Sequence, residues 1–223
     1  MTVQRPLFAD RTEAGRQLAE QVVASGETDA IVYALPRGGV PVALEVARAL
    51  DAPLDLVLVR KIGAPGHPEV ALAAVVDGGF PQMVVNEAVQ RMSGASPLYL
   101  AREKALALAE IERRRRLYFG NRTHPDPAGK TVILVDDGLA TGATARVAIQ
   151  QLRARGAGRV ILAVPVMPET SLATLRAEVD LLICLASPVE FRSVGAFYAD
   201  FHQVADDEVL AQLVEAAGFD GEA

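Results

Sequence analysis

The chain has 223 residues, a single cysteine and a formal net charge of −6. These exclude an intrachain disulfide framework and argue against non-specific nucleic-acid binding as the main task. Half of the residues are hydrophobic and tryptophan is absent, so a chain of this length can bury an aliphatic core unaided.

Met1 to Phe8 is too short and too poorly apolar for a signal peptide, and no run approaches a membrane span. A cytoplasmic protein, with neither membrane nor nucleic acid as partner, is the expectation. Spacing predicts a helix over Asp10 to Ser25, with Ala14, Leu18 and Val22 at four-residue intervals and Gly26 as its stop. Ala30 to Leu35 is a buried strand, Pro36-Arg37-Gly38-Gly39 a tight turn, and Val40 to Leu50 a helix. Arg37 and the paired glycines form an anion nest; a βα turn that needs glycine for steric reasons alone is the bland alternative. Leu54 to Val59 is a further apolar strand, ending at the cations Arg60 and Lys61. Ile62 to Glu69, rich in glycine and proline, is expected to be a loop. Its His67 either touches a ligand or is simply solvated.

Ala71 to Val76 and Met83 to Asn86 flank Asp77-Gly78-Gly79-Phe80-Pro81, which predicts a hairpin. Glu87 to Met92 and Leu98 to Phe119 are expected to be helical, and the region of about 71–128 is an insertion in a single domain covering 1–223. The run Arg113 to Arg116 invites a nucleic-acid reading. Glu110 and Glu112 each precede an arginine by four residues, the favourable order for pairs on a solvated helix, and that reading is preferred. Asn121 to Lys130 is a loop returning to the sheet.

Thr131 to Val135 is a β-branched apolar run of the kind found in parallel sheets covered on both faces. Asp136 and Asp137 follow at the carboxyl end of this strand, where open α/β sheets bind ligands. Gly138, Leu139, Ala140, Thr141, Gly142, Ala143 and Thr144 then lead into a helix N-terminus, whose free amides favour an anion. Carboxylates for sugar hydroxyls beside a loop for phosphate imply a sugar phosphate ligand. A Walker-type loop, Gly-x4-Gly-Lys-Ser/Thr, does not occur, nor does a Gly-x-Ser-x-Gly hydrolase elbow.

The stretch Val132 to Thr144 resembles the PRPP-binding fingerprint of the type I phosphoribosyltransferases, in which two acidic residues precede a Thr-Gly-x-Thr phosphate loop. The resemblance implies a doubly wound, mainly parallel α/β sheet with a helical and hairpin insertion. It implies transfer of the 5-phosphoribosyl group from PRPP to a small-molecule nitrogen acceptor such as a nucleobase, with magnesium and release of pyrophosphate. Asp136 and Asp137 would hold the ribose, and residues 138 to 144 the 5-phosphate. Arg37, Gly38 and Gly39 would hold pyrophosphate, and Arg60 and Lys61 would act in catalysis at the start of a mobile loop that also carries His67. No direct protein ligand for the metal is assigned beyond its closeness to Asp136 and Asp137. A homodimer is expected. The rival reading is a regulator of this fold that binds PRPP or a nucleotide without turnover.

Arg159 to Val164 and Asp180 to Ala186 are further strands, with a short helix over Glu169 to Ala177. Cys184, in an apolar run, is read as a buried small hydrophobe. Pro188 to Phe201 holds four of the chain's eleven Phe and Tyr residues. Phe191 there is either a base-stacking face, as the resemblance implies, or part of a hydrophobic plug closing the sheet edge. Asp206 to Ala217 is a terminal helix. One departure from the purine-salvage members concerns Ala140: an acidic residue commonly precedes the Thr-Gly of their loop, close to N7 of the base.

Overall fold

The computed structural model describes residues 6–76, 82–120, 122 and 124–217. A five-stranded parallel sheet runs in the order β2-β1-β6-β7-β8. Its strands are β1 (Ala30–Ala34), β2 (Leu54–Leu56), β6 (Thr131–Val135), β7 (Arg159–Val166) and β8 (Leu181–Ala186). The helices α1 (Arg11–Ala24), α2 (Gly39–Leu50) and α7 (Asp206–Ala216) contribute to one apolar layer, and α5 (Ala143–Ala154) to the layer on the other face. α6 (Glu169–Arg176) precedes the edge strand β8.

Beyond their first residues, Thr131 of β6 and Arg159 of β7, the central strands are apolar because both faces are covered. Along β6, Ile133 and Val135 join the first layer while Val132 and Leu134 join the second. All four are fully buried. Burying each such side chain stabilises the fold by about 1.5–3 kcal/mol.

The chain leaves this sheet earlier than the apolar run Leu54 to Val59 predicts. β2 stops at Leu56, and Val59 opens a second, antiparallel sheet of β3 (Val59–Ala64), β4 (His67–Val76) and β5 (Gln82–Val85). Ile62 to Glu69, expected to be a loop, is therefore a hairpin that turns at Pro65-Gly66, with Gly66 at φ 74°. The register shifts on both sides of Gly63. A Cβ there would lie 2.5 Å from the Cα of Pro68, so only glycine fits the shifted strand. β4 and β5 pair antiparallel, as the flanks of the expected hairpin require; its turn, Asp77 to Pro81, lies outside the described residues. α3 (Glu87–Ser93) and α4 (Pro97–Phe119) follow. The Tyr99 hydroxyl donates to the Gly63 carbonyl at 3.0 Å and ties α4 to the hairpin. No helix among the described residues is long and apolar enough to cross a membrane.

A candidate ligand crevice between the β1 and β6 loops

The strand order reverses between β1 and β6. From β1 the chain moves outward to β2, and from β6 it moves the other way to β7 and β8. Such a switch point opens a crevice beyond the carboxyl ends of its two strands. It brings together two loops that lie about a hundred residues apart in the chain, as the register Ala34 to Val135 requires. Leu35 N donates to Val135 O at 3.0 Å.

The loops touch through glycine. A Cβ on Gly38 would lie 2.0 Å from Asp137 Oδ2, and one on Gly39 would lie 2.9 Å from Val135 O and 3.0 Å from the Cα of Asp136. Both are closer than real side chains approach, so these positions need glycine for contact with the acidic pair. The Pro36–Arg37 peptide bond is cis.

Asp136 Oδ1 accepts from Asp137 N at 2.9 Å. Burial, and next the Asp137 charge, push the Asp136 carboxyl well above the usual carboxylate range. Burial also raises Asp137, while Arg11 opposes that shift. Arg11 Nε donates to Asp137 Oδ2 at 2.8 Å and Arg11 Nη1 to His202 O at 2.8 Å. The Arg11 guanidinium also lies 3.8 Å from the centre of the Phe201 ring. Local structure fixes Arg11: Asp10 caps α1 by accepting from Glu13 N at 2.8 Å, which makes Arg11 the first helical residue.

The loop after the acidic pair begins at Gly138, whose φ is 153° and where a Cβ would meet Val194 Cγ1 at 2.6 Å. Leu139 N donates to Val166 O at 2.9 Å, and Ala140 O accepts from Ser171 Oγ at 3.1 Å. Thr141 is exposed and its Oγ1 accepts from Ala143 N at 3.5 Å. Gly142 caps α5 in the left-handed region at φ 70°. A Cβ on it would point at Leu175 Cδ1, 2.7 Å away. The left-handed backbone and the packing against α6 both oppose a side chain there. The first-turn amides of α5, at Ala143 and Thr144, carry the partial positive charge of the helix end.

Arg37 is half-buried, and its Nη1 lies 3.5 Å from Asp206 Oδ1 at the start of α7. Arg60 and Lys61 are exposed on β3, immediately after the chain leaves the main sheet. His67 is exposed and opens β4 beside the Pro65-Gly66 turn. Thus these three stand on a paired hairpin.

Phe191 is half-buried, 5.3 Å from the ring of Phe197, in a cluster with Phe8, Val166 and Tyr198. The aromatic segment includes a short 3-10 turn, Val194–Phe197, and hydrogen-bonds to the N-terminal segment through Leu7, Phe8 and Ala9. The plug reading therefore describes Phe197 and Tyr198 well. The Tyr198 hydroxyl donates to Asp137 O at 2.5 Å. Cys184 is half-buried on β8; burial pushes its thiol up to about 11.

Arg11, Tyr198 and Asp206 are neighbours of the crevice that sequence reasoning missed. Each reaches it from a distant part of the chain, and nothing in its local spacing marks it.

Residues 9–186 match the family model described as "Phosphoribosyl transferase domain". Two Mycobacterium tuberculosis proteins are each 42% identical over 210 residues, covering 94% of this chain and 47% of their own length. They are "Putative phosphoribosyl transferase MT0597" (strain CDC 1551 / Oshkosh) and "Putative phosphoribosyl transferase Rv0571c" (strain ATCC 25618 / H37Rv). The chain thus spans about half the length of these curated relatives. The crystal structure of TT1426 from Thermus thermophilus is 43% identical with a TM-score of 0.78, covering 93% of this chain and 98% of that one. A match over most of the chain, with the acidic pair and its glycine-lined crevice inside it, places this protein in the phosphoribosyl transferase domain family.

Proposed function

We propose that the chain transfers the 5-phosphoribosyl group from PRPP to a nitrogen acceptor, a nucleobase being the favoured class, and releases pyrophosphate. The observation that carries this reading is the contact of Gly38 and Gly39 with Asp137 and Asp136 at the sheet's switch point. One crevice then offers an anion-binding turn, a carboxylate pair and a helix N-terminus, the groups a doubly phosphorylated sugar needs.

Asp136 and Asp137 accept from the ribose hydroxyls, Asp137 being held in place by Arg11 and through its own carbonyl by Tyr198. The amides at the start of α5, with Thr141 and Thr144, take the 5-phosphate. Arg37 and the Gly38-Gly39 backbone face the pyrophosphate. The bond from the ribose anomeric carbon to pyrophosphate breaks as the bond to the acceptor nitrogen forms. The bonding pair leaves with pyrophosphate, and the acceptor's proton passes to solvent. Positive charge develops on the ribose and negative charge on the leaving group, so positioning and electrostatics supply most of the acceleration. Arg60 and Lys61 are assigned to the leaving-group charge.

Among the described residues no group of three or more His, Cys, Asp or Glu is placed to hold a metal by itself. The acidic pair fits a magnesium ion carried mainly by substrate oxygens, which would neutralise pyrophosphate charge when bound. The test is pyrophosphate release from PRPP and magnesium across a panel of nitrogenous bases. Release with one base, lost in Asp136→Asn with Asp137→Asn, supports transfer. PRPP binding without turnover on any base would assign the regulatory role instead, and no PRPP binding would remove both.

A further inference from the structure

Arg113, in the arginine run, makes a contact that the solvated-face reading leaves out. Its Nε and Nη2 engage Glu110 at 2.9 and 3.1 Å, as that reading expects. Yet its Nη1 and Nη2 also lie 3.3 and 3.4 Å from Asp206 Oδ2, a residue on another helix. The other oxygen of that same carboxylate faces Arg37 Nη1 at 3.5 Å and accepts from the Tyr118 hydroxyl. Asp206 is thus an anion shared by two guanidiniums from different elements, the β1 turn and α4. Arg114 also engages Glu110, at 2.8 Å. In this cluster three guanidiniums face two carboxylates and leave one net positive charge.

Two guanidiniums that converge on one carboxylate are spaced to converge on one phosphate group, whose oxygens they bind in the same way. A carboxylate in that position competes with an incoming anion for both of them. The pairs are 25% to 50% exposed, so the competition is weak enough for a ligand of higher charge to win.

Building on the pyrophosphate role proposed for Arg37, we propose that Arg113 of α4 is a second pyrophosphate-binding cation, and that Asp206 is a positioning residue whose carboxylate occupies the place of a phosphate oxygen until pyrophosphate arrives. The inserted helix then contributes directly to the leaving-group site.

The test is calorimetric titration of inorganic pyrophosphate with magnesium into the full chain and two variants, with circular dichroism as a check on folding. Arg113→Gln is expected to weaken pyrophosphate binding by about tenfold, because a charge-assisted contact is lost. Asp206→Asn keeps an oxygen for the Tyr118 hydroxyl but removes the competing charge. It is expected to tighten binding about twofold to fivefold, with a steeper dependence on ionic strength. Opposite signs are the signature, since a network that merely braces the fold moves both variants the same way. Weakening in both, or change in neither, overturns the inference while leaving the transferase reading intact if the parent binds pyrophosphate. Absence of binding by all three proteins overturns both. Binding that appears only in Asp206→Asn supports the masking role.

Discussion

Arg11 and Asp137 lie 126 positions apart and meet in an ion pair of 2.8 Å, with side chains only 8% and 13% exposed. The pair places a compensating cation beside one of two adjacent carboxylates at the mouth of the sheet. Removing one member of a buried pair leaves an uncompensated charge, at a cost of about 3–5 kcal/mol. Arg11→Ala is expected to show a loss of that order in thermal or denaturant melts, with PRPP affinity falling as Asp137 loses its anchor. Arg11→Lys should recover only part, because one ammonium cannot reach both Asp137 Oδ2 and His202 O. A fully stable Arg11→Ala protein would show that water takes over the guanidinium's hydrogen bonds or that Asp137 takes up a proton.

Asp136 has the opposite balance. Burial and the Asp137 charge raise its pKa in the folded protein. The protonated form therefore favours folding: its contribution is complete below the unfolded value of about 4 and is lost as pH rises through the higher folded value. Near neutral pH the ionised carboxylate is a cost to the fold, which the ribose role proposed for it would account for. Asp136→Asn keeps an oxygen for Asp137 N and removes that cost. It is expected to melt above the parent at about pH 7, with the gap closing as pH falls toward about 4, while PRPP binding is lost. A variant that melts below the parent at neutral pH would mean that Asp136 is stabilised by groups other than those named.

The parts legible in the sequence were those set by local pattern. β6 could be read because burial on both faces makes every residue from Val132 to Val135 apolar, and the acids end that run. The hairpin of β3 and β4 could not, because Gly63, Pro65, Gly66 and Pro68 punctuate a loop and a bulged hairpin in the same way. The break of the apolar run at Leu56 was hidden for a similar reason: Val57 and Leu58 are buried whether or not they pair in the sheet. The crevice partners were hidden by distance. Arg11, Tyr198 and Asp206 act on positions 136 to 137 and 37 only after the N- and C-terminal segments dock together.

Gly142 separates a packing role from a ligand role. Its positive φ and its closeness to Leu175 both oppose a side chain. Gly142→Val is expected to lose about 2–4 kcal/mol of stability, and Gly142→Ala less, before any ligand is added. Thr141→Ala, at an exposed position, should leave stability unchanged and weaken competition by ribose 5-phosphate. Equal melting temperatures for Gly142→Ala and the parent would show that α6 yields to the added methyl.

Lys61 stands on a paired strand opposite Ala74. A cation aimed at the leaving group matters most as charge develops, so Lys61→Ala is expected to lower kcat more than it raises KM for PRPP. Its position on β3, unlike one on a free loop, makes the loss insensitive to solvent viscosity. A rise in KM alone would make Lys61 a ground-state binder.

The acceptor is the last question, and Ala140 bears on it. Purine-salvage members of the family commonly carry an acid before the Thr-Gly of their phosphate loop, where it can take a proton from the base or hydrogen-bond to it. Ala140 can do neither; its side chain is a methyl group, and its carbonyl is engaged by Ser171. A neutral 6-oxopurine without that acceptor forfeits typically about 10²–10⁴-fold in rate, whereas a base already anionic at neutral pH loses nothing. Hypoxanthine and guanine are therefore expected to be poor substrates even if Phe191 offers them a stacking face, and anionic bases better ones. The measurement is pyrophosphate release under saturating PRPP and magnesium with each base in turn. Turnover of a 6-oxopurine in the ordinary enzyme range of about 1–10³ s⁻¹ would sink the idea. It would also direct attention to Glu190 and Asp200, both exposed on the aromatic segment, as the group that takes the proton instead.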